Sequence, residues 1–400
     1  MKKLAAVLIA LLTALIPCAP ALAADEVTIN VYNWGEYIDM ETLEMFEEAN
    51  PGIKVNYSTF DSNESMYSKV LSGAANYDVV IPSDYMIAKM IGADMLAELD
   101  FDNIPNYRNI GEAYRGLEYD PENKYSVPYT WGTVVVIYNE KYVDPADVEK
   151  ESIELLWNEK YAGKILMFDN PRDAFGIALT SLGYSMNTTD QSQWREAADR
   201  LSAQKPLVQA YVMDAIFDKM ESEEAWIAPY YAGDGLIIQE ENENVKFYIP
   251  SEGTNMFVDA MCVLKSSEHK AEAEAFINFM CEPEIAALNA DAIGYASPNE
   301  AALELIDPEI VENELIYTPT EYLDAHTEVF ADLPAEIQML QGNLWTSLKI
   351  QSAESEEEVA AVTWIDVFCI LVVAIGVLGI VYGAVTGIRK RRLWRDRPDA

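Results

Sequence analysis

The chain repeats one local pattern: a short run of alternating apolar and polar residues, apolar residues at helical spacing, then alternation again. Thr28 to Tyr32 alternates, Met40, Leu43 and Phe46 recur at helical spacing until Pro51-Gly52 stops them, and Ile53, Val55 and Tyr57 alternate once more. Tyr77 to Ile81 reads as a buried strand ended by Pro82, and Tyr85 to Met90 as a helix start. The second half follows the same grammar. Lys164 to Phe168 is a strand, Asn170-Pro171 supplies a cap and first helical residue, and a helix runs through Leu182. Strands are also expected at Ala225 to Pro229, Val245 to Ile249 and Phe257 to Leu264, and helices at Lys270 to Met280 and Ala335 to Ile350. Strands alternating with helices bury their apolar faces by layering helices on sheets, which predicts an α/β fold with mainly parallel sheets.

The two ends do not belong to this pattern. Met1-Lys2-Lys3, an apolar stretch from Leu4 to Ile16, and Ala21-Leu22-Ala23 ahead of Ala24 form the three parts of a secretory signal peptide, residues 1–23. Cys18 follows Pro17, where a lipoprotein signal wants a small residue, so lipid attachment is not expected. Residues 367–388 contain 22 positions without a charge, enough at ~1.5 Å per residue to cross a hydrocarbon core of ~30 Å. Arg389-Lys390-Arg391-Arg392 follows at once, so the basic tail, 389–400, is expected in the cytoplasm and the bulk of the chain outside. The polar, like-charged stretch 351–366 reads as an acidic tether. Between signal and tether lie about 325 residues, too many for one ordinary core and suited to two lobes.

Charge and residue scarcity narrow the function. The chain carries 67 acids against 27 bases; without the signal and the residues after Ile388 the counts are 65 and 19. A surface so acidic repels nucleic acid and anionic lipid and attracts cations. His269 and His326 are the only histidines, which leaves almost no material for a zinc site or a histidine-based triad. Cys262 and Cys281 have no metal-type spacing and read as buried free thiols, with one disulfide as the alternative.

In open α/β sheets ligands bind outside the carboxyl ends of strands. Trp34, Glu36 and Tyr37 follow the first strand, Ser83 and Tyr85 the Tyr77 strand, Asp173 the Lys164 strand, and Tyr231 and Asp234 the Ala225 strand. Rings attract a cation through their quadrupole and carboxylates through full charge, so this mixture suits an organic ammonium ion. Asp173 sits at the third position of its helix, where an acid also stabilises free amides by ~0.3 to 1 kcal/mol, and Glu36 can equally be a solvated loop acid. Asp259 interrupts an apolar strand, and an unpaired buried carboxylate is costly, so it needs a partner; with bases scarce, a ligand ammonium fits. Trp131 reads as well as core packing near a lobe junction.

Four phrases carry a family resemblance: Tyr32-Asn33-Trp34-Gly35-Glu36-Tyr37, Tyr57-Ser58-Thr59-Phe60-Asp61-Ser62-Asn63-Glu64, Tyr77-Asp78-Val79-Val80-Ile81-Pro82-Ser83-Asp84-Tyr85 and Ile293-Gly294-Tyr295-Ala296-Ser297-Pro298-Asn299. In order and spacing, from about Thr28 to about Ile350, the chain resembles the extracytoplasmic spermidine/putrescine-binding proteins of polyamine ABC importers. The resemblance implies a two-lobed periplasmic-binding-protein-like α/β fold of type II, with lobes that close over the ligand and chain crossings near Thr130, Pro250 and Pro298. It assigns 24–130 plus 251–298 to one lobe and 131–250 plus 299–350 to the other. Trp34, Tyr37, Ser83, Tyr85, Asp259 and Tyr295 fall on positions that line the family's polyamine cleft, and Asp173 falls on its acidic position. Tyr231 and Phe257 stand where the family often has tryptophan. Asp234 matches an acid of putrescine-type members that some spermidine-type members replace by serine. Gly35 and Asn170 replace residues that contact ligand in relatives.

The reading is a membrane-tethered, single-pass receptor that captures spermidine or putrescine outside the cell and delivers it to ABC permease and ATPase subunits. It expects no catalysis, cofactor, metal or nucleic acid. The alternatives are a surface sensor, a receptor for another small cationic solute, and an acid hydrolase using paired carboxylates, for which no nucleophile-base pair is visible.

Overall fold

The computed structural model describes residues 26–350 apart from Ala74. The expected signal peptide, tether, membrane span and basic tail lie outside the described residues. Among those described, no helix is long and apolar enough to cross a membrane.

The opening unit forms as its sequence pattern requires. Strand β1 (Val27–Trp34) leads to helix α1 (Met40–Ala49), whose first turn is capped by the Asp39 carboxylate accepting from the Glu41 amide at 2.9 Å. Gly52, at φ +103°, turns the chain into β2 (Ile53–Phe60), which pairs parallel with β1 from Val27↔Ile53 to Trp34↔Phe60. Helix α2 (Asn63–Leu71), strand β3 (Val79–Val80) and helix α3 (Asp84–Gly92) follow, with β3 parallel to β1. The expected Tyr77 strand thus shrinks to two residues. Its neighbours Asp78 and Ile81 are buried and still donate backbone hydrogen bonds to Asn30 and Tyr32 of β1, beyond which the chain enters the Pro82-Ser83 turn.

Strand β4 (Ser126–Asn139) joins the two halves of the molecule. It pairs antiparallel with β9 (Thr254–Val263) through Thr133, and from Val134 onward it pairs antiparallel with β7 (Ile227–Tyr231) and β8 (Val245–Tyr248). One 14-residue strand therefore serves both lobes. In the first lobe the order is β2-β1-β3-β9-β4; in the second, β4-β7-β5-β6, where β5 (Ile165–Phe168) and β6 (Val208–Val212) run parallel. The expectation of mainly parallel sheets fails at the centre. Strands β4 and β9 return between lobes, so each sheet is mixed.

Helices cover the sheets: α4 (Pro171–Ser181) and α5 (Gln191–Gln204) on the second lobe, followed along the chain by α6 (Ala232–Glu241). Helices α7 (Lys270–Met280) and α8 (Pro283–Ile293) pack on the first, and residues 335–350 form the last described helix. Phe46 of α1 meets Phe276 and Phe279 of α7 edge-on at 5.3 and 5.5 Å, and Phe175 of α4 lies 5.4 Å from Trp194 of α5. Cys262 and Cys281 are buried free thiols, not a disulfide.

Phe46 is fully buried, so Phe46→Ala should lower unfolding free energy by about 3 to 5 kcal/mol in urea titrations of the purified chain. A loss under about 1 kcal/mol would show that the α1–α7 contact does not hold the first lobe together.

Candidate functional site

The carboxyl ends of the parallel strands from both lobes converge on one cleft. β1 delivers Trp34, Gly35 and Tyr37; the turn after β3 delivers Ser83 and Tyr85; α4 begins with Asp173; and the end of β7 and start of α6 deliver Tyr231 and Asp234. Phe257 and Asp259 come from β9, and Tyr295 follows the left-handed Gly294 that ends α8. Ten of the eleven residues picked from the sequence share this cleft. Glu36 does not: it is exposed at φ +44° and borders an outer hollow with Asp214, Asp218 and Asp234. The left-handed turn that brings Tyr37 inward carries Glu36 outward. Trp131 is buried and lines no part of the cleft.

Each of three aspartates is held by one tyrosine. Tyr37 donates to Asp259 Oδ2 at 2.7 Å, Tyr231 to Asp173 Oδ2 at 3.0 Å, and Tyr295 to Asp234 Oδ2 at 2.8 Å. Asp259 is 4% exposed and its Oδ1 has no hydrogen-bond partner; Ser83 lies close enough to favour its charged form without hydrogen-bonding geometry. Burial without a paired cation raises all three acids. Asp259 is pushed up to about 6, with Ser83 and Tyr37 opposing the shift; Asp173 to about 7, opposed by Tyr231; and Asp234 to about 8, opposed by Tyr295.

The rings form the remaining walls. Tyr37 meets Tyr295 edge-on at 4.9 Å, Tyr231 meets Phe257 at 5.3 Å, and Trp34 tilts over Phe60 at 4.5 Å. Tyr295 can approach only because residue 233 is glycine: a Cβ there would lie 2.2 Å from the ring. Asn63 donates to Ser83 Oγ at 3.1 Å and Tyr85 Oη at 3.2 Å, fixing both on the first lobe. Asp84, buried and pushed up to about 8 by burial, accepts from the amides of Val258 and Tyr85, tying the start of α3 to β9 beside Asp259.

Some cleft residues were missed in the sequence. Asp61 follows β2, and the strand-end rule would have found it. Asp214 and Phe217 follow β6, a strand whose Val-Gln-Ala-Tyr-Val pattern had not been read as one. Phe330 lies in a loop with no sequence signal; its ring is held 4.2 Å from the buried Arg172 guanidinium, which also donates to the Ala331 carbonyl at 3.3 Å. Asn170 also lines the cleft, but its side chain accepts from the Arg172 amide at 2.9 Å as a helix cap.

Chemically, the cleft offers buried acceptors, apolar ring faces and, among the described residues, no base in its lining, which suits an elongated organic cation. Residues 75–324 match the family model described as bacterial extracellular solute-binding protein, and 1–115 match that of a hypothetical lipoprotein family. The chain is 34% identical over 324 residues to the spermidine/putrescine-binding periplasmic protein of Escherichia coli K12, covering 80% of this chain and 92% of that one. Among solved structures, a Listeria monocytogenes protein described as a spermidine/putrescine ABC transporter is 36% identical with a TM-score of 0.77, covering 81% of this chain and 99% of its own. The spermidine/putrescine substrate-binding protein PotD of Streptococcus pneumoniae, in complex with calcium and HEPES, is 38% identical with a TM-score of 0.68 over the same shares.

The raised acids set a pH dependence. Unfolded aspartates titrate near ~3.9, whereas Asp259, Asp173 and Asp234 titrate at about 6, 7 and 8, so between these limits the folded chain holds more protons than the unfolded one. The stability they contribute is complete below the unfolded value and is lost as pH rises toward 8. Thermal melts of the ligand-free protein should show a falling midpoint across that window, and the triple variant Asp173→Asn, Asp234→Asn, Asp259→Asn should make the fall shallower, with Asp84 supplying the remainder. Equal slopes for both proteins would show that these acids are ionised throughout.

Proposed function

Because the chain belongs to the bacterial extracellular solute-binding proteins, among the spermidine/putrescine-binding proteins of ABC importers, we propose that it captures a polyamine in the interlobe cleft and delivers it to its permease. It is a solute-binding protein and not an enzyme. The observation that carries the ligand reading is the set of three buried aspartates, each pinned through one oxygen by a tyrosine hydroxyl, in a cleft walled by rings.

Polyamine methylenes lie against Trp34, Tyr37, Tyr231, Phe257 and Tyr295, while ammonium groups meet Asp173, Asp234 and Asp259. Each charge-assisted hydrogen bond contributes ~1.5 to 3 kcal/mol and each cation-π contact ~0.5 to 2, so a few of each leave useful affinity after ordering costs. An ammonium favours the carboxylate form, so acids that hold protons in the empty cleft release them on binding. Contacts from both sides drive closure. The pairing switch within β4 supports a division into 24–130 plus 251–298 and 131–250 plus 299–350. The uncharged run 367–388 with its basic flank supports a single-pass anchor that keeps the receptor at the outer face of the cell membrane.

Titration calorimetry of the full-length chain should give strong binding of spermidine or putrescine and none of lysine or simple sugars; no heat with any polyamine would reject the ligand reading. Near neutral pH the apparent enthalpy should change with the ionisation enthalpy of the buffer, because protons leave the aspartates. Asp259→Asn should weaken binding at least about tenfold, some 1.4 kcal/mol, without loss of fold, and unchanged affinity would remove Asp259 from the site. In cell fractionation the full chain should sediment with membranes and a variant ending at residue 366 should not. Equal distribution of the two would exclude the anchor.

A further inference from the structure

Behind Tyr85 lies a second cavity, and among the described residues Tyr85 alone lines both it and the main cleft. Glu64 of α2 and Lys89 of α3 border it from the first lobe, and Arg172 at the start of α4 from the second. The last described helix closes it with Gln338 and Gln341. That helix is fixed to the second lobe by Trp345, whose ring meets Tyr211 edge-on at 5.8 Å, and by Lys349, which donates to Asp169 at 2.8 Å. Gln338 in turn accepts from the Lys89 ammonium at 2.9 Å, so both lobes bound the cavity.

Charges of opposite sign border this cavity without counter-charges. Arg172 is 2% exposed, and its terminal nitrogens donate only to uncharged oxygens, the Met186 and Ala331 carbonyls and the Asn187 side-chain amide, while its Nε has no partner. Burial pulls this guanidinium below its ordinary value, and Tyr85, Asp173 and Glu64 oppose the shift. Glu64 accepts from the Tyr85 hydroxyl through Oε1 at 3.0 Å, and its buried Oε2 has no partner. Gln341, 8% exposed, likewise leaves Nε2 without an acceptor. Among the described residues neither Glu64 nor Arg172 forms an ion pair. Two donors and one acceptor, with a positive and a negative charge among them, are the complement of a carboxylate and an ammonium carried by one small molecule. Ions buried without counter-charges are costly, and a single zwitterion relieves both. The Lys89 ammonium at the same cavity repels a cationic side chain.

We propose that this cavity is a second ligand site, for a compact zwitterionic amino acid whose carboxylate accepts from Arg172 Nε and Gln341 Nε2 and whose ammonium donates to Glu64 Oε2. Because its walls come from both lobes, the occupied site stabilises their closed arrangement and strengthens polyamine capture in the main cleft. The coupling rests on the polyamine reading of that cleft; the site itself does not. Glycine is the probe, titrated calorimetrically into the full-length chain. Glycine should bind, whereas acetate and methylamine, which each lack one charge, and lysine, which carries an extra one, should not. Saturating glycine should tighten putrescine binding at least about fivefold, and saturating putrescine should tighten glycine binding by the same factor. Gln341→Ala should abolish glycine binding and leave the affinity for putrescine alone unchanged, and Glu64→Gln should abolish glycine binding as well. No heat from glycine with or without putrescine, or equal binding of acetate or methylamine, would overturn the site. So would glycine that weakens putrescine, which would place it in the main cleft, or glycine binding untouched by both substitutions. Equal putrescine affinity with and without bound glycine would overturn the coupling. Failure of putrescine to bind, with glycine bound and lost in Gln341→Ala, would instead reject the polyamine reading and leave the site standing. Far-ultraviolet circular dichroism of each variant separates loss of binding from loss of fold.

Discussion

Desolvated carboxylate without a resident base is the constraint around which this molecule is arranged. An acid so deep in protein costs several kcal/mol if left charged and alone, and the chain answers by pinning Asp259, Asp173 and Asp234 each to a tyrosine hydroxyl. The pinning has a geometric effect as well as an energetic one. One oxygen of each is engaged by the scaffold, and Asp259 Oδ1 is left without a hydrogen-bond partner among the described residues. The same tyrosines present ring faces to the cavity, so two of the components needed to recognise a polyamine come from one side chain.

The supporting contacts extend that logic outward. Asp84 ties α3 to β9 through the Val258 amide, Asn63 fixes Ser83 and Tyr85, and the missing Cβ at Gly233 lets Tyr295 close over Asp234. Arg172 is 2% exposed and serves as a brace: its guanidinium holds Phe330 against the cleft and bonds to Met186, Asn187 and Ala331. A cation lies next to Asp173 in sequence, and its charge opposes the upward shift of that acid, yet its hydrogen bonds go elsewhere. The cleft stays short of positive charge.

Much of this was legible in the sequence because strand ends in α/β folds are where ligands go, and ring-acid mixtures at such ends are uncommon in cores. Helix limits set by caps and breakers emerged closely, as with Pro51-Gly52 and Asn170-Pro171. Strand β3 was overread because burial and pairing are different things: Tyr77 is buried by packing, not by a ladder. Glu36 stands outside the cleft lining because of its own left-handed backbone, which periodicity cannot show. Asp214 and Phe330 were missed because β6 is only partly buried and the 330 loop has no period at all, so their membership in the cleft is a tertiary fact.

Strand β4 and its partner β9 also impose an order of events. The first lobe's sheet contains β1 and β9, some 220 residues apart along the chain. No amount of local structure near the amino end can complete that sheet before Thr254–Val263 has been made. The first lobe of a nascent chain of this kind therefore stays incomplete until Thr254–Val263 has left the ribosome, so a translocation pore receives that lobe's early residues before their sheet can close.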